Sequence, residues 1–388
     1  MKQKRIYLDN AATTRTDPEV VKAMMPYFTE TYAVASSQFS HTPGLEAREG
    51  LDEAREIVAG KLNSSPEEIV FTSGGTEANN LALKGTAQAF KGKKDHIICS
   101  GVEHNTVLHS CQWLEQEGFK LTILDVNEEG FIDLDQLREC IKDHTFFVSI
   151  QHGNQEVGTV QPIAAVGEIC KENGVLFHVD AALSFTQMDL DVNVLNADFI
   201  TLSAHKIHGP KGVGGLYVRK GTQLNKIFHG GYSEFDLRSG TENVAGVVGF
   251  GKAVQIAQPD HVENIRSLQK HLMDRLTKDI QDVIVNGPKD IEKRLPGNVN
   301  VSFDLVEGES VVLHLDMKGI SVITGSACFS RSLEPSYVMM AMGFSHERAH
   351  GSIRFTLSRF NSMEEIDYAA ESCNEVVEAL RKISPLKR

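Results

Sequence analysis

The stretch Ser203-Ala204-His205-Lys206-Ile207-His208-Gly209-Pro210-Lys211-Gly212 decides how the chain is interpreted. It follows an apolar run, residues 199–202, that is typical of a buried strand, and its Gly-Pro pair and later glycine predict a turn. Lys206 is therefore expected just past the carboxyl end of a strand, where open α/β sheets bind ligands. A lysine at that place can form a Schiff base with an aldehyde. An isolated lysine in a basic turn would more simply lie on the surface, so the remainder of the chain must decide.

The composition is that of an ordinary globular protein. The chain has 388 residues, of which 41% are hydrophobic and 23% charged, and this length is sufficient for two domains. A formal net charge of -13 argues against direct binding to nucleic acid or to an anionic membrane. No apolar leader follows the first five residues and no run reaches membrane-spanning length, so we expect a cytoplasmic protein.

The cysteines show no metal-ligand spacing, and we expect no metal site. Five of the six, which we expect to be small buried hydrophobes with reduced thiols, are Cys99, Cys111, Cys140, Cys170 and Cys373. The sixth, Cys328, lies in a run of small and polar residues, 324–332, that predicts an exposed, mobile loop. Such a thiol is either a nucleophile or an incidental loop residue.

Short apolar runs alternate with helical segments over the first part of the chain, at 68–72, 96–100, 121–125, 146–150, 176–180, 199–203 and 214–218. This alternation predicts an α/β fold with a mostly parallel sheet covered by helices on both faces. A long helical stretch, 244–280, and shorter strands at 283–286, 298–303, 319–323 and 352–357 predict a smaller α+β domain. We expect a large domain of residues 15–257 and a small domain formed by 1–14 and 258–388.

Polar groups fall at the ends of several predicted strands, and a parallel sheet would bring them to one crevice. A Gly-Gly-Thr turn that ends at Thr76 precedes a helix whose free N–H groups could bind an anion, although a plain turn has the same sequence. Asp180 could pair with a pyridinium nitrogen or simply cap a helix. His104 could stack on a cofactor ring, relay protons or be structural.

Taken together, these positions match the needs of one cofactor. Ser203 and His205 could join Thr76 in holding a phosphate group. With a Schiff-base lysine and a carboxylate for the ring nitrogen, the set is what pyridoxal 5'-phosphate requires. Arg354, in an alternating apolar strand, could point into the cleft and bind a carboxylate bidentately, or face outward.

The motifs that contain these residues resemble those of the NifS/IscS-type, class I, cysteine desulfurases in the class V aminotransferase superfamily, which are pyridoxal-phosphate enzymes of fold type I. The resemblance runs nearly end to end. The motifs are YLDNAATT (7–14), SGGTEANN (73–80), EHN (103–105), GNQEVGTVQPI (153–163), HVDAA (178–182), SAHKIHGPKGVGGLYVR (203–219), LRSGTEN (237–243), TGSACFS (324–330), LEPSY (333–337) and SIRFTLSRFN (352–361).

The resemblance implies a role for each matching position. Lys206 would hold the cofactor as a Schiff base and later move the substrate Cα proton, and Cys328 would take the sulfur of L-cysteine as a persulfide while L-alanine leaves. The expected cofactor contacts are His104, Asn154 and Asp180 at the ring, and Gly75, Thr76, Ser203, His205 and Thr241 of the partner subunit at the phosphate. The expected substrate contacts are Asn10 and Arg354.

The implied partners are L-cysteine, a second copy of the chain in a homodimer, and a sulfur acceptor. The acceptor would be an iron–sulfur scaffold, a tRNA-thiolation protein or a small thiol. Family members commonly carry Gln where this chain has Leu183, and segments 36–40 and 230–236 also depart from the pattern. We expect these changes around the substrate entrance.

Two alternatives stay open. The protein could be a C–S or C–Se lyase similar to selenocysteine lyases, or an aminotransferase, that acts without an enzyme persulfide. It could also be a pyridoxal-phosphate-binding protein that has lost turnover. The Gly-Ser-Ala-Cys run that ends at Cys328 argues against the first alternative, and the intact Lys206, Cys328 and Arg354 argue against the second.

Overall fold

The computed structural model describes residues 5–325 and 335–384. Its strands, in chain order, are β1 (Ile6–Tyr7), β2 (Ile69–Thr72), β3 (His96–Ser100), β4 (Lys120–Leu124), β5 (Thr145–Gln151), β6 (Leu176–Asp180), β7 (Phe199–Ser203), β8 (Gly214–Val218), β9 (Val283–Val285), β10 (Asn298–Phe303), β11 (Ile320–Ser321), β12 (Ile323–Thr324) and β13 (Ser352–Thr356).

The α-helices are α1 (Pro18–Met24), α2 (Pro26–Thr29), α3 (Thr42–Leu62), α4 (Gly75–Asn80), α5 (Thr86–Phe90), α6 (Asn105–Gln116), α7 (Leu134–Cys140), α8 (Ile163–Glu172), α9 (Val192–Leu195), α10 (Val244–Gln255), α11 (Pro259–Asp279), α12 (Gly308–Met317), α13 (Tyr337–Ala341), α14 (His346–His350) and α15 (Met363–Ile383). A π-helical turn, Leu81–Gly85, joins α4 to α5 in one continuous helix. None of the helices described is both long and apolar enough to cross a membrane.

The central sheet has seven strands in the order β2-β8-β7-β6-β5-β3-β4. The pairs β4-β3, β3-β5, β5-β6 and β6-β7 are parallel, whereas β8 is antiparallel to both of its neighbours, β7 and β2. The predicted mostly parallel sheet is confirmed. The run 214–218 is reversed because only a short turn connects it to β7, and parallel neighbours require a crossover of a dozen or more residues.

The later strands form a four-stranded antiparallel sheet, β12-β13-β10-β9, and a two-stranded parallel pair, β1-β11. The single strand predicted at 319–323 is wrong, because this segment passes from one sheet to the other. Ile320–Ser321 pairs with β1, and Ile323–Thr324 pairs with β13. The beginning of the chain therefore lies against its last third.

The helix predicted over 244–280 is two helices, α10 and α11. Pro259 begins α11, and proline has no amide hydrogen with which to continue the hydrogen bonds of α10. Helix α13 begins at Tyr337, where the Ser336 hydroxyl accepts the N–H of Met339. The short helix α14 was not predicted.

Two large clusters of buried apolar side chains lie on either side of the α10–α11 break. The first fills the space between the central sheet and its helices and includes Phe177 and Phe250. The second combines Leu8, Leu272 and Phe355, which come from the N-terminal segment, α11 and β13. Full burial of one such side chain contributes about 1.5–3 kcal/mol.

The thiols of the described residues agree with the prediction in four cases. Cys99, Cys111, Cys170 and Cys373 are buried, whereas Cys140 is only half-buried because it lies at the end of α7. Cys328 lies outside the described residues.

Candidate active site

The carboxyl ends of the parallel strands bring the predicted polar residues together. In the sheet register Gln151 lies beside Asp180, and Asp180 lies beside Thr201. Ser203 ends β7 two residues later, and the chain then forms a 3-10 turn, Ala204–Lys206, that carries the predicted lysine. These side chains therefore share one edge of the sheet.

Gly214 allows the turn after β2 to reach the same edge. Thr72 at the end of β2 and Ser203 at the end of β7 both pair with Gly214, from opposite sides of β8. A Cβ on Gly214 would lie 2.7 Å from the Cα of Gly74, closer than real side chains come. Gly74 itself adopts φ 151° and ψ -179°, a conformation that is open to glycine.

A cavity of about 410 Å³ lies at this edge. The predicted site residues that line it are Gly75, Thr76, His104, Asp180, Ser203, His205, Lys206 and Arg354. Asn10 and Asn154 line a smaller neighbouring cavity that shares Lys206 and Leu183 with the first. Thr241 lines a third cavity, beside the turn after β2. Cys328 lies outside the described residues.

The N-terminal segment holds the lysine. The ammonium group of Lys206 donates hydrogen bonds to the carbonyl oxygens of Ala11 and Ala12, at 2.5 and 2.9 Å. The N–H and the hydroxyl of Thr14 both donate to the carbonyl oxygen of His205, each at 2.9 Å. The YLDNAATT motif therefore forms one wall of the site.

Asp180 is buried at the end of β6, and two hydrogen bonds orient its carboxylate. Its Oδ2 accepts a hydrogen bond from the amide of Asn79 at 2.8 Å, and its Oδ1 accepts the N–H of Ala182 at 3.0 Å. Both donors are neutral, so they orient the carboxylate without cancelling its charge. Such a group suits a cationic ring nitrogen. Asn79 also donates to the Thr106 hydroxyl at 2.7 Å, which links α4 to the start of α6.

His104 caps α6 in its neutral form. Its Nδ1 accepts the N–H of Thr106, so the ring proton lies on Nε2. Burial lowers the pKa of His104, against the opposing charge of Asp180. His205 is also neutral, because burial lowers its pKa to about 4, and its Nδ1 lies 3.1 Å from the Thr13 hydroxyl.

Donor groups with no partner in the described structure converge at the turn after β2. The Ser203 hydroxyl is buried and has no hydrogen-bond partner. The first N–H groups of α4, at Gly75 and Thr76, have no partners within the helix. A cavity of this size with such a hydroxyl and N–H groups, a lysine and an aspartate fits pyridoxal 5'-phosphate.

Arg354 lies in the cavity wall, which is the inward-facing one of the two orientations that the sequence left open. Its Nη2 forms an ion pair with Oδ1 of Asp9 at 2.7 Å, and its Nη1 donates to the carbonyl oxygen of Gln155 at 3.0 Å. Its Nε is buried and has no partner among the described residues. The guanidinium is thus fixed in place and retains a donor.

Gln155 is a cavity residue that the sequence analysis did not identify. Its Oε1 is buried without a partner in the part of the chain that the structure describes, and the residue lines the cavity beside Arg354. The side-chain N–H of the neighbouring Asn154 donates a hydrogen bond to the carbonyl oxygen of Val102 at 2.9 Å. Its Oδ1 accepts the N–H groups of Glu156 and Val157. Two adjacent amides in one motif look alike in sequence, and only the hydrogen bonds of the turn distinguish them.

Comparison with known proteins places the chain among related enzymes. Residues 6–369 match the class-V aminotransferase family. The cysteine desulfurase IscS of Clostridium botulinum is 45% identical over 386 residues, covering 99% of this chain and 97% of that protein. A solved NifS-like protein superposes with a TM-score of 0.90 at 36% identity, covering 97% of this chain and all of that one. The structure of SspA in complex with cysteine has a TM-score of 0.83 at 35% identity, with 92% of this chain and all of that one covered.

Proposed function

Because the chain belongs to the class-V aminotransferase family, we propose that it takes the sulfur atom from L-cysteine, releases L-alanine and passes the sulfur to an acceptor. The protein is an enzyme of the cysteine desulfurase type and depends on pyridoxal 5'-phosphate. The observation that carries the proposal is that Lys206, Asp180, Ser203 and Arg354 line one cavity.

The cavity residues divide into three sets. When bound, pyridoxal phosphate supplies an electron sink for the charge released at the substrate Cα. The amine of Lys206 holds the cofactor aldehyde and then moves the Cα proton. The ring contacts in this proposal are His104 and Asp180, which line the cavity, and Asn154, which lines the neighbouring smaller cavity. The phosphate contacts are Gly75, Thr76, Ser203 and His205.

Arg354 is the proposed partner of the substrate carboxylate. Asp9 and the Gln155 carbonyl fix its guanidinium, and the buried Nε retains a hydrogen that can be donated. Asn10 completes the substrate wall, although its amide already donates to the carbonyl oxygens of Thr356 and Tyr7, at 2.8 and 3.2 Å. Its contribution is therefore expected through its side-chain carbonyl oxygen.

Cys328 is the proposed sulfur carrier. Its thiolate attacks the sulfur of the bound substrate, an S–S bond forms on the enzyme, and the substrate C–S bond breaks. The electron pair of that bond stays on the product carbon, which becomes the methyl group of L-alanine after it takes up a proton. The resulting persulfide then passes to an iron–sulfur scaffold, a tRNA-thiolation protein or a small thiol.

We also propose a cytoplasmic homodimer of two-domain chains. The exposed apolar side chains of Met25, Phe28, Tyr32 and Phe39 are a concentration of the kind that marks protein interfaces. Thr241 of the partner subunit would complete the phosphate site. The two separate cores on either side of the α10–α11 break support a large domain of 15–257 and a small domain of 1–14 and 258–388.

A lyase or aminotransferase that acts without an enzyme persulfide is the second candidate. Leu183 favours it, because this buried residue gives the cavity wall an apolar surface where the family commonly has an amide. An altered wall changes substrate preference more readily than it changes the cofactor chemistry.

Trapping the cofactor tests the placement of the site. Borohydride reduction of the loaded enzyme, followed by peptide mass spectrometry, should find the cofactor on Lys206 of the wild type. The Lys206→Ala variant should give no labelled peptide, and Lys211→Ala, which changes an exposed lysine in the same turn, should label like the wild type. A label on Lys211, or on Lys206→Ala protein at another lysine with full activity, would contradict the proposal.

A further inference from the structure

Glu77 is an acidic side chain buried beside the proposed phosphate site. Only 7% of its side chain is exposed, and its Oε2 accepts the N–H of Ser73 at 2.8 Å. The carboxylate therefore closes the turn that presents Gly75 and Thr76. It also places a negative charge close to the expected phosphate, and like charges at short range oppose binding.

Arg238 meets this carboxylate with a two-pronged contact. Its Nε lies 2.8 Å from Oε1 of Glu77, and its Nη2 lies 3.3 Å from Oε2. Burial acts to raise the pKa of Glu77, but the hydrogen bonds from Arg238 and Ser73 outweigh it and hold the pKa below its ordinary value. Glu77 therefore stays ionised, and Arg238 offsets its charge.

The segment before Arg238, which contains Glu234, is held against β2 by a second arginine–carboxylate pair. Arg55 makes two hydrogen bonds to the Glu234 carboxylate, both at 2.7 Å, and each side chain is 4% exposed. Oε2 of Glu234 also accepts the N–H of Phe71 in β2 at 2.7 Å.

The contacts of Glu234 with Arg55 and Phe71 lie where three consecutive residues adopt the left-handed conformation. These are Glu234, Phe235 and Asp236, with φ of 48°, 57° and 63°. Non-glycine residues adopt that conformation only when surrounding contacts fix it. The segment that carries Arg238 is therefore built rigidly onto the strand that leads into the turn.

We propose that the Glu77–Arg238 pair is a positioning device that makes the turn after β2 selective for a phosphate group. Glu77 fixes the turn through Ser73, and Arg238 cancels the repulsion that Glu77 would otherwise exert on the phosphate. This inference rests on the phosphate contacts that we propose above. Neither Glu77 nor Arg238 is among the described residues that line the cavity, so both would act through the turn.

The test compares two ligands that differ only by the phosphate. Full-length protein is freed of cofactor, and dissociation constants for pyridoxal 5'-phosphate and for pyridoxal are measured from the visible absorbance. Arg238→Met should weaken binding of the phosphate form about tenfold and leave pyridoxal unchanged, because it exposes one uncompensated charge. The double variant Glu77→Gln/Arg238→Met should recover most of the loss. Arg238→Lys keeps the positive charge but not the two-pronged contact. Its binding of pyridoxal 5'-phosphate should weaken less than that of Arg238→Met, and its binding of pyridoxal should again be unchanged.

The outcomes separate this inference from the proposed function. The positioning role would be overturned if Arg238→Met weakened the binding of both ligands equally or of neither. It would also be overturned if the double variant bound pyridoxal 5'-phosphate as weakly as Arg238→Met. If wild-type protein bound pyridoxal and its phosphate equally well, the phosphate site itself would be misplaced. If Arg238→Met did not fold, the selectivity of Arg238→Lys would decide.

Discussion

Single side chains in the cavity wall set how charge is stabilised there. Leu183 is 8% exposed and lines the cavity together with Lys206 and Gln155. An apolar side chain offers no hydrogen bond to an oxygen that carries negative charge, whereas an amide at the same place would. The chain therefore leaves this side of the cofactor site without a donor from residue 183.

The Leu183→Gln variant should lower the pH midpoint at which the bound cofactor's visible absorbance changes. An amide N–H favours the form in which the ring oxygen is left negative after the Schiff base has lost its proton. Leu183→Met keeps the volume and apolar character and should titrate like the wild type. Identical midpoints for the glutamine variant and the wild type would show that residue 183 does not reach the cofactor.

For single residues, the sequence predicted which side chains carry the chemistry better than it predicted which partners they contact. Lys206 and Asp180 could be located because each directly follows or ends an apolar strand, and strand ends converge in a parallel sheet. Gln155 could not be distinguished from Asn154, since the distinction depends on which amide the turn uses for its own backbone. The Asp9 partner of Arg354 is distant in sequence and gave no local signal.

The elements around the site depend on close backbone contacts as much as on side chains. The turn after β2 packs against β8, where Gly214 has no room for a methyl group. Gly215, the next residue, would place a Cβ no nearer than 3.6 Å to its neighbours, an ordinary contact distance. The two adjacent glycines thus form a matched pair for testing the turn.

Gly214→Ala should destabilise the protein by about 1–3 kcal/mol and weaken cofactor binding, because the added methyl displaces the turn. Gly215→Ala should change neither quantity appreciably. Urea unfolding and cofactor titration of the two variants measure both effects. Equal behaviour of the two variants would mean that the close approach at residue 214 does not support the site.

The order of most elements followed from the sequence, but the reversed direction of β8 and the division between β11 and β12 did not. Alternating apolar runs predict strands without giving their orientation, so the reversal of β8 appeared only with the short connection from β7. The two-residue strands β11 and β12 are too short for a pattern of period two to separate them. The sequence was interpreted as one helical stretch across Pro259, although a proline is a local signal for the end of a helix.

Across the whole molecule, burial shifts the pKa values of two carboxyl groups and of four histidines in opposite directions. Burial raises the pKa of Glu103 to about 8 and that of Glu156 to about 7, from an ordinary value of 4.5. The histidines whose pKa burial lowers to about 4, from 6.5, are His152, His178, His205 and His208.

The free energy of unfolding should therefore pass through a maximum near pH 6.5. Between about pH 4 and 6.5 the unfolded chain binds the extra protons of four histidines, so stability rises with pH, and two acids only partly oppose this. Between about 6.5 and 8 the native protein retains protons on Glu103 and Glu156 that the unfolded chain has lost, so stability falls.

Urea unfolding of cofactor-free protein from pH 5 to 8.5 measures this profile. The variants Glu103→Gln and Glu156→Gln should each flatten the decline above pH 6.5 while leaving the rise below pH 6 in place. Stability that continues to increase up to pH 8.5 in the wild type would contradict the assigned protonation of these two carboxyl groups.

The most direct measurement of the account as a whole is product release from L-cysteine in the presence of a thiol reductant. The wild type should release L-alanine and sulfide in equal amounts, and Cys140→Ala, which changes a half-buried cysteine elsewhere, should match it. Cys328→Ala should release neither. If Cys328→Ala kept the wild-type rate, no persulfide would form on this residue, and the protein would be a lyase rather than a sulfur-transferring desulfurase.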